Sequence, residues 1–561
     1  MEEIEDIENI SPDVLSKGKY DKIKQFIIES NYLENFNDDW TFANRYFLRH
    51  YKDNISKKEL RYVYLQEKFP GFPNILIKKS MRSEHGVFVV SVVTSPKPEY
   101  IDENGEKKVQ KFSCKHNCYY CPNDPSQPRS YLRGEPGVDR ANSVGFDVLK
   151  QIHVRLDSYI MMGQMPDKLE IIVLGGTWSE YPVQYQETVI RDIYYAANVY
   201  HNGIERERER ERLSIEEEVR LNENANVHII GLTLETRPDS IDMKEIKRFR
   251  MYNCTRLQIG LQHTDNEILK IINRGHTIET TKKAIKLLLD NGFKVDIHIM
   301  PNLPGSDLEK DKKMVETLFN DPDIQVDQWK IYPTSVVPWS VLEIWFKKGK
   351  FVPYSDEVLM EFLLSIKEKI PERIRLNRVV RDIPESYIMG GCKTSHMRQL
   401  LQQEMQKRNI TCNCIRCRSV KGKTVDPNFI LKYEHFIASG TDEYFISVVS
   451  QDNSTLYGFL RLRIPNPMNE VQLDEVKNCA LIRELHVYGT VVNVNRNKDN
   501  KYQTMNATQH KGFGKMLMQK AEEIARKHDM KCIAVISGVG VRGYYRKLGY
   551  ELDKTYMKKE L

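Results

Sequence analysis

Long hydrophobic runs are what this 561-residue sequence most clearly lacks. None approaches the ~20 residues that a bilayer-spanning helix needs, which argues against a membrane protein of that kind. A secretion leader is not expected either. The chain starts Met-Glu-Glu-Ile-Glu-Asp-Ile-Glu, acidic where a leader is basic and then apolar, so no export is expected. Nor is there a large excess of one charge: 84 Lys and Arg against 78 Asp and Glu leave a net +6. That permits a nucleic-acid partner without requiring one, and the clustering of the basic residues decides. The length allows roughly three or four domains of ordinary size. Ten cysteines, grouped as metal ligands are, point to a reducing compartment and hence to the cytoplasm.

Three of them, Cys114, Cys118 and Cys121, share one short loop that follows an apolar run of strand length at 87–93. Their spacing lets the thiolates converge on a metal or cluster. Iron–sulfur clusters are usually held by four cysteines, so three with no fourth nearby leave one iron open to another ligand. That favours chemistry over storage of electrons, with a structural zinc site as the alternative. The spacing resembles that of the radical S-adenosylmethionine enzymes, in which the open iron chelates the amino and carboxylate groups of the cofactor.

Further strand-length apolar runs at 170–174, 228–234, 256–261, 294–300 and 328–332 alternate with helical periodicity. Such alternation predicts an α/β fold with a parallel sheet. Six units are fewer than the eight of a closed barrel, so a partial (β/α)6 barrel is expected, with its site at the C-terminal strand ends. Unusual residues follow the strands there: Gly175-Gly176-Thr177, Glu235-Thr236-Arg237-Pro238, Gln262-His263 and Pro301-Asn302-Leu303-Pro304-Gly305. A glycine pair after a strand lets backbone approach a ligand closely.

Two segments are basic. In the first, Lys57, Lys58, Arg61, Lys68, Lys78, Lys79 and Arg82 are interleaved with Tyr62, Tyr64, Phe69 and Phe72. That mixture suits phosphates and splayed-out bases, or equally a packed helical domain with a solvated face. In the second, Lys367, Lys369, Arg373, Arg375, Arg378 and Arg381 alternate with apolar residues, as along an extended edge with one basic side. Residues 205–212 read Glu-Arg four times over, an exposed helical extension with no chemical role. Beyond residue 382 the composition changes. Cys412, Cys414 and Cys417 are close enough to share one ion, zinc being expected, and Cys392 or His396 could be the fourth ligand.

The last part has strand-like runs at 444–449, 456–462 and 481–487, then Gln509-His510-Lys511-Gly512-Phe513-Gly514 opening a helical stretch. A loop at a helix start offers unpaired N–H groups and the positive end of the helix dipole to a pyrophosphate. The strand at 533–537 and the run Tyr544-Tyr545-Arg546-Lys547-Leu548-Gly549-Tyr550 follow, in an order similar to that of the GNAT acetyltransferases, which bind acetyl-CoA.

Nearly the whole chain resembles the Elongator catalytic-subunit family of tRNA uridine acetyltransferases. The resemblance rests on Gly175-Gly176-Thr177, Glu235-Thr236-Arg237-Pro238-Asp239, Asn273-Arg274-Gly275-His276-Thr277, Arg381-Asp382-Ile383-Pro384, Arg483-Glu484-Leu485-His486-Val487-Tyr488-Gly489 and Ile536-Ser537-Gly538-Val539-Gly540. It implies carboxymethylation of C5 of the wobble uridine of tRNA by radical chemistry, with acetyl-CoA and S-adenosylmethionine. It makes Cys114, Cys118 and Cys121 ligands of a [4Fe–4S] cluster and sets Gly175, Gly176 and Thr177 against the adenosylmethionine. Lys168 aligns with a lysine that contacts acetyl-CoA. Glu484, Leu485, His486, Val487, Gly512, Phe513, Gly514, Lys515, Met516 and Tyr545 align with the coenzyme site, and Lys168, Tyr544 and Tyr545 with catalytic positions. The basic segments fit the anticodon region of tRNA, and other Elongator-type subunits or a second copy are implied partners. The first two cluster cysteines are closer together than in many Elongator subunits. Expected domains are 1–82, helical and tRNA-binding; 83–381, the radical domain; 382–426, a linker with the zinc site; and 427–561, the acetyltransferase. A protein lysine acetyltransferase, with the first half only a tRNA-binding surface, is the alternative.

Overall fold

A computed structural model describes residues 15–36, 39–67, 69, 76, 86–161, 164, 166–200, 210–394, 396–420, 425–466, 472–488 and 512–561. Lys68, Phe72, Lys78, Lys79, Arg82, Gln509, His510, Lys511 and residues 205–209 of the Glu-Arg tract lie outside them. Three helices come first, Lys17–Glu29, Trp40–Tyr51 and Lys57–Gln66. Ser16 and Asp39 cap the first two by accepting from Lys19 N and Phe42 N. Their apolar faces close on Phe26, Phe36, Phe47 and Tyr64. The described aromatics of the first basic segment are therefore packing residues: Tyr64 is 1% exposed, Tyr62 and Phe69 lean on the same core, and Arg61 is buried.

Seven parallel strands follow: β1 Phe88–Val93, β4 Lys168–Leu174, β5 His228–Thr236, β6 Arg256–Gln262, β7 Lys294–Ile299, β8 Gln328–Ile331 and β9 Arg375–Arg378. They lie side by side in that order, with β1 and β9 at the open edges. A small hairpin, β2 Glu99–Ile101 and β3 Lys107–Val109, stands apart. The six expected strands are present, and the seventh comes from the segment expected as a basic extended edge. Alternation sets the two faces of each strand. Ile171, Leu257, Ile259, Val295 and Ile297 pack outward with the helices, whereas Glu170, Arg256, Gln258, Lys294, His298, Lys330 and Arg375 line a cavity within the curl. Closed barrels of this kind fill their interior with branched apolar side chains; a polar interior leaves room for a polar ligand.

A second sheet is built from β10 Ile430–Ala438, β11 Thr441–Val449, β12 Leu456–Ile464, β13 Cys479–Val487, β14 Cys532–Val535, β15 Glu551–Asp553 and β16 Tyr556–Glu560, ordered β10-β11-β12-β13-β14-β16-β15. Only β13 and β14 run parallel. They pair over Cys479–Ile482 and Cys532–Val535, then part, while β13 continues to Val487 against β12. Cys479 and Cys532 are joined as a disulfide, although the sequence points to a reducing compartment. No helix among the described residues is long and apolar enough to cross a membrane.

This second sheet docks beneath the barrel, at the N-terminal strand ends, through a chain of buried charges. Arg463 binds Asp290 and Glu443; Arg483 binds Glu443 and Asp327; Arg461 binds Asp327 and Glu484. Burial alone would raise the Asp327 carboxyl, but Arg483 and Arg461 hold it down at about 2. Removing one member leaves buried charges without partners. Arg483→Leu should therefore cost ~3–5 kcal/mol of stability, read as a lowered urea midpoint at unchanged slope; a change below ~1 kcal/mol would mean that the network adds nothing.

Other expectations shift here. Five residues of the second basic segment have internal partners: Lys367 lies 3.6 Å from Cys417 Sγ, Arg373 binds Glu434, Arg375 donates to Tyr488 Oη, Arg378 binds Asp382 and Arg381 binds Glu135. They line the cavity or the seam between the sheets more than they offer a phosphate surface. The described end of the Glu-Arg tract, 210–212, is not helical. The buried Glu218 carboxylate takes both Arg210 guanidinium arms and Arg212 pairs with Asp192, so packing overrides the helical pattern.

Candidate active site

The loop after β1 carries the first three cysteines to the C-terminal mouth of the barrel, where all three line the cavity. Two guanidiniums, from Arg237 after β5 and Arg274 after β6, each stand 3.6 Å from Cys118 Sγ. Burial would raise the Cys118 thiol, but Arg274 and Arg237 outweigh it and hold the thiol below its ordinary value, which favours the thiolate. Cys121 is pushed up to about 11 by burial, against the pull of Arg129. Among the described residues only Cys412, Cys414 and Cys417 form a thiol triad within 4.8 Å of one another. The mouth cysteines do not meet that spacing.

Beside them, Thr177 donates its backbone N–H to Ser113 O at 2.9 Å and its hydroxyl to Cys114 Sγ at 3.1 Å. The approach is so close that a Cβ on Gly176 would lie 1.9 Å from Ser113 O, and Gly175 takes a φ of +144°. Three thiols, a glycine edge and two guanidiniums that offset thiolate charge fit an iron–sulfur cluster whose open iron binds S-adenosylmethionine. In the sequence, Arg237 and Arg274 stand out only as members of the runs at 235–239 and 273–277. Arg237 directly follows β5, a signal the sequence offers, whereas Arg274 comes after the helix Asn266–Ile271 and its Lys270, where nothing in the sequence singles it out.

Deeper in the cavity, β7 and β8 contribute His298 and Lys330, register partners, with Glu235 from β5 and Gln258 from β6. Burial pushes Lys330 down to about 8 against the pull of Asp296 and Glu235. His298 is held well below its ordinary value by the same burial and the facing cations, so its ring is neutral. Glu235 Oε1 lies 3.4 Å from His298 Nδ1, and its Oε2 accepts from Tyr131 Oη at 2.9 Å. Of these groups Lys330 is the one poised for proton transfer near neutral pH, with the neutral His298 ring and Glu235 beside it.

The cavity, about 1790 Å³, continues down to the second sheet, where Glu484, Leu485, His486, Val487, Gly512, Gly514, Lys515, Tyr544 and Tyr545 line it. Glu484 is raised by burial and lowered more by Lys294 and Arg461, leaving it ionised. Gly512, at φ +76°, precedes the helix Phe513–Lys527 with no side chain capping its first N–H groups, an arrangement suited to phosphate. Phe513 and Met516 turn their side chains into the core of the second sheet, so only their backbone is available to a coenzyme. Tyr545 is buried and its phenol raised by that burial, hence protonated. Lys168 is not brought to the cavity wall. It opens β4 at the N-terminal end, in register with His228, whose side chain abuts Gly540 of the second sheet's unit. The triad Cys412, Cys414 and Cys417 could hold a metal ion, and neither Cys392 nor His396 joins it within 4.8 Å.

A partial parallel barrel with a three-cysteine loop at its mouth, joined to a sheet that splays beside an uncapped helix, defines a radical S-adenosylmethionine enzyme fused to a GNAT-type acyltransferase. The chain matches the family models for the radical SAM superfamily over residues 112–318, the radical SAM C-terminal domain over 326–407 and the acetyltransferase (GNAT) family over 417–550. It is 38% identical to the tRNA uridine(34) acetyltransferase of Methanocaldococcus infernus, over 90% of each chain, and 34% identical to Elongator complex protein 3 of Homo sapiens, over 86% of each. The solved structure of archaeal M. infernus Elp3 with an N-terminal deletion superposes with a TM-score of 0.70 at 36% identity, covering 85% of this chain and 99% of that one. This chain belongs to the family of Elongator complex protein 3 and the tRNA uridine(34) acetyltransferases.

Proposed function

We propose that this protein carboxymethylates C5 of the wobble uridine in tRNA, taking the two-carbon unit from acetyl-CoA and the radical from S-adenosylmethionine. The observation that supports this most is the single cavity reaching from the thiols at the barrel mouth to the lining of the second sheet, since it allows one reaction to use both ends. The family relatives named for tRNA uridine(34) supply the substrate.

When bound at Cys114, Cys118 and Cys121, a [4Fe–4S] cluster with S-adenosylmethionine supplies a hydrogen-abstracting radical. The residues of the chain do the rest. Arg237 and Arg274 neutralise thiolate and carboxylate charge at the mouth. The helix start at Gly512 holds the pyrophosphate of acetyl-CoA, and Tyr545 can donate to the departing thiolate. Lys330 and neutral His298 are placed to move protons in the bore between the two ends. The triad Cys412, Cys414 and Cys417 would take zinc, pinning the turn at 412–417 in the segment after β9. A cytoplasmic site, the anticodon region of tRNA as ligand, and association with other Elongator-type subunits or a second copy accompany this reading.

Anaerobic incubation of reconstituted protein with tRNA, acetyl-CoA and S-adenosylmethionine, followed by nucleoside mass spectrometry, tests it. A carboxymethyl-type uridine is expected. Acetyl-lysine on added protein with unmodified tRNA would overturn the reading in favour of a lysine acetyltransferase.

A further inference from the structure

Trp339 is bulky, yet its φ is +61°, in the left-handed region that such residues avoid. Strain of this kind persists only where the surroundings over-determine it. Here Trp339 N–H donates to Glu343 Oε2 and Trp339 O accepts from Asn123 N, both at 3.0 Å, while Leu342 N–H donates to Tyr119 O at 3.0 Å. The backbone of the loop is thus tied to the segment that carries the cluster cysteines. The outcome is an indole 45% exposed, whereas Trp178 and Trp329 are buried and Trp40 and Trp345 half-buried.

The indole does not stand alone. The Tyr387 ring lies 5.9 Å away, centre to centre, at 48°. Both flank the mouth: Asn123 follows cavity-lining Pro122, and Tyr387 follows Arg381 and Ile383, which line it too. Exposed Lys348 and Lys350 follow the helix Val341–Lys347, whose Lys347 is paired with Glu343, and exposed Lys115, next to Cys114, is paired with Glu180. Of the acids near Tyr387, Asp382 is bound to Arg378 and Glu385 is exposed. An aromatic face among cations, beside the opening that a base must enter, matches how unpaired nucleotides are held: bases stack, phosphates meet lysines.

We propose that Trp339, backed by Tyr387, is a stacking platform for an unpaired RNA base next to the one that enters the bore. This rests on the tRNA reading above and adds to it the site that grips the loop. Exposed Ile344, Met389 and Val352 nearby could instead mark a protein contact, but they carry no charge and lie off the mouth segment.

The test is fluorescence anisotropy with full-length reconstituted protein and an anticodon stem–loop RNA, against a blunt duplex of equal length. Trp339→Ala should weaken stem–loop binding roughly tenfold, within the range of a lost stacking contact, and leave duplex binding unchanged. Trp339→Phe should restore most of the affinity. An abasic residue beside the wobble position should weaken the normal protein about as much and Trp339→Ala no further. Unchanged affinity in Trp339→Ala at normal iron content, or losses that simply add, would overturn the platform while the tRNA reading stands. Loss of self-association in light scattering with RNA affinity intact would overturn it in favour of a protein contact. If the normal protein itself fails to prefer the stem–loop, both readings fall.

Discussion

Cys118→Ala should abolish both iron loading and cofactor cleavage. The normal protein is expected to take up about four irons per chain on anaerobic reconstitution, and to release deoxyadenosine from S-adenosylmethionine on reduction. In the variant both should fall to background. Cys118 is the most enclosed of the three mouth thiols, and Arg237 and Arg274 converge on its sulfur at 3.6 Å each. Truncation removes a ligand that cannot be replaced nearby and takes the thiolate away from two buried guanidiniums, leaving Asp239, bound to Arg237, as the carboxylate beside them. Cys254→Ala is the matched control. Its thiol is equally buried but donates to backbone carbonyls at Leu232 and Arg256, far from the mouth, so iron and deoxyadenosine should stay normal. Undiminished deoxyadenosine from Cys118→Ala would remove the cluster assignment.

Much of this architecture could be read along the chain because its signals are local. The cysteine spacing, the apolar runs of β4 to β8 and the glycines at 175, 176 and 512 each depend on a few neighbouring residues. The seventh strand was harder, since Arg375-Leu376-Asn377-Arg378 has too few apolar residues to count as a buried strand; its polar side faces the cavity rather than solvent. The same inversion hides the bore. Lys294, Asp296 and His298 alternate with Val295, Ile297 and Ile299, which on an ordinary half-exposed strand would put the polar residues in water. Here the core is on the outside of the curl, and the polar set is inside. Nothing in the sequence could have paired Arg483 with Asp327, or Arg463 with Asp290, across more than 150 positions, because burial makes such partners and spacing does not.

The polar bore matters only if something passes along it, and Gly231→Phe is the variant that asks. Gly231 lies on β5 in register with Glu170, on the cavity wall between the mouth thiols and the second sheet. A Cβ there would meet Glu170 Cγ at 3.5 Å and Thr255 Oγ1 at 3.7 Å, ordinary contacts, so Gly231→Ala should behave normally. A phenyl ring has nowhere to go but into the bore. Iron content, deoxyadenosine formation at the mouth and acetyl-CoA binding at the second sheet should each persist, because neither end is touched. Carboxymethyluridine formation should drop by on the order of 100-fold, the scale of loss when reacting groups are kept from their productive geometry. A Gly231→Phe protein that modified tRNA at the normal rate would show that the two-carbon unit travels by another path, and the single-cavity argument for one coupled reaction would fail with it.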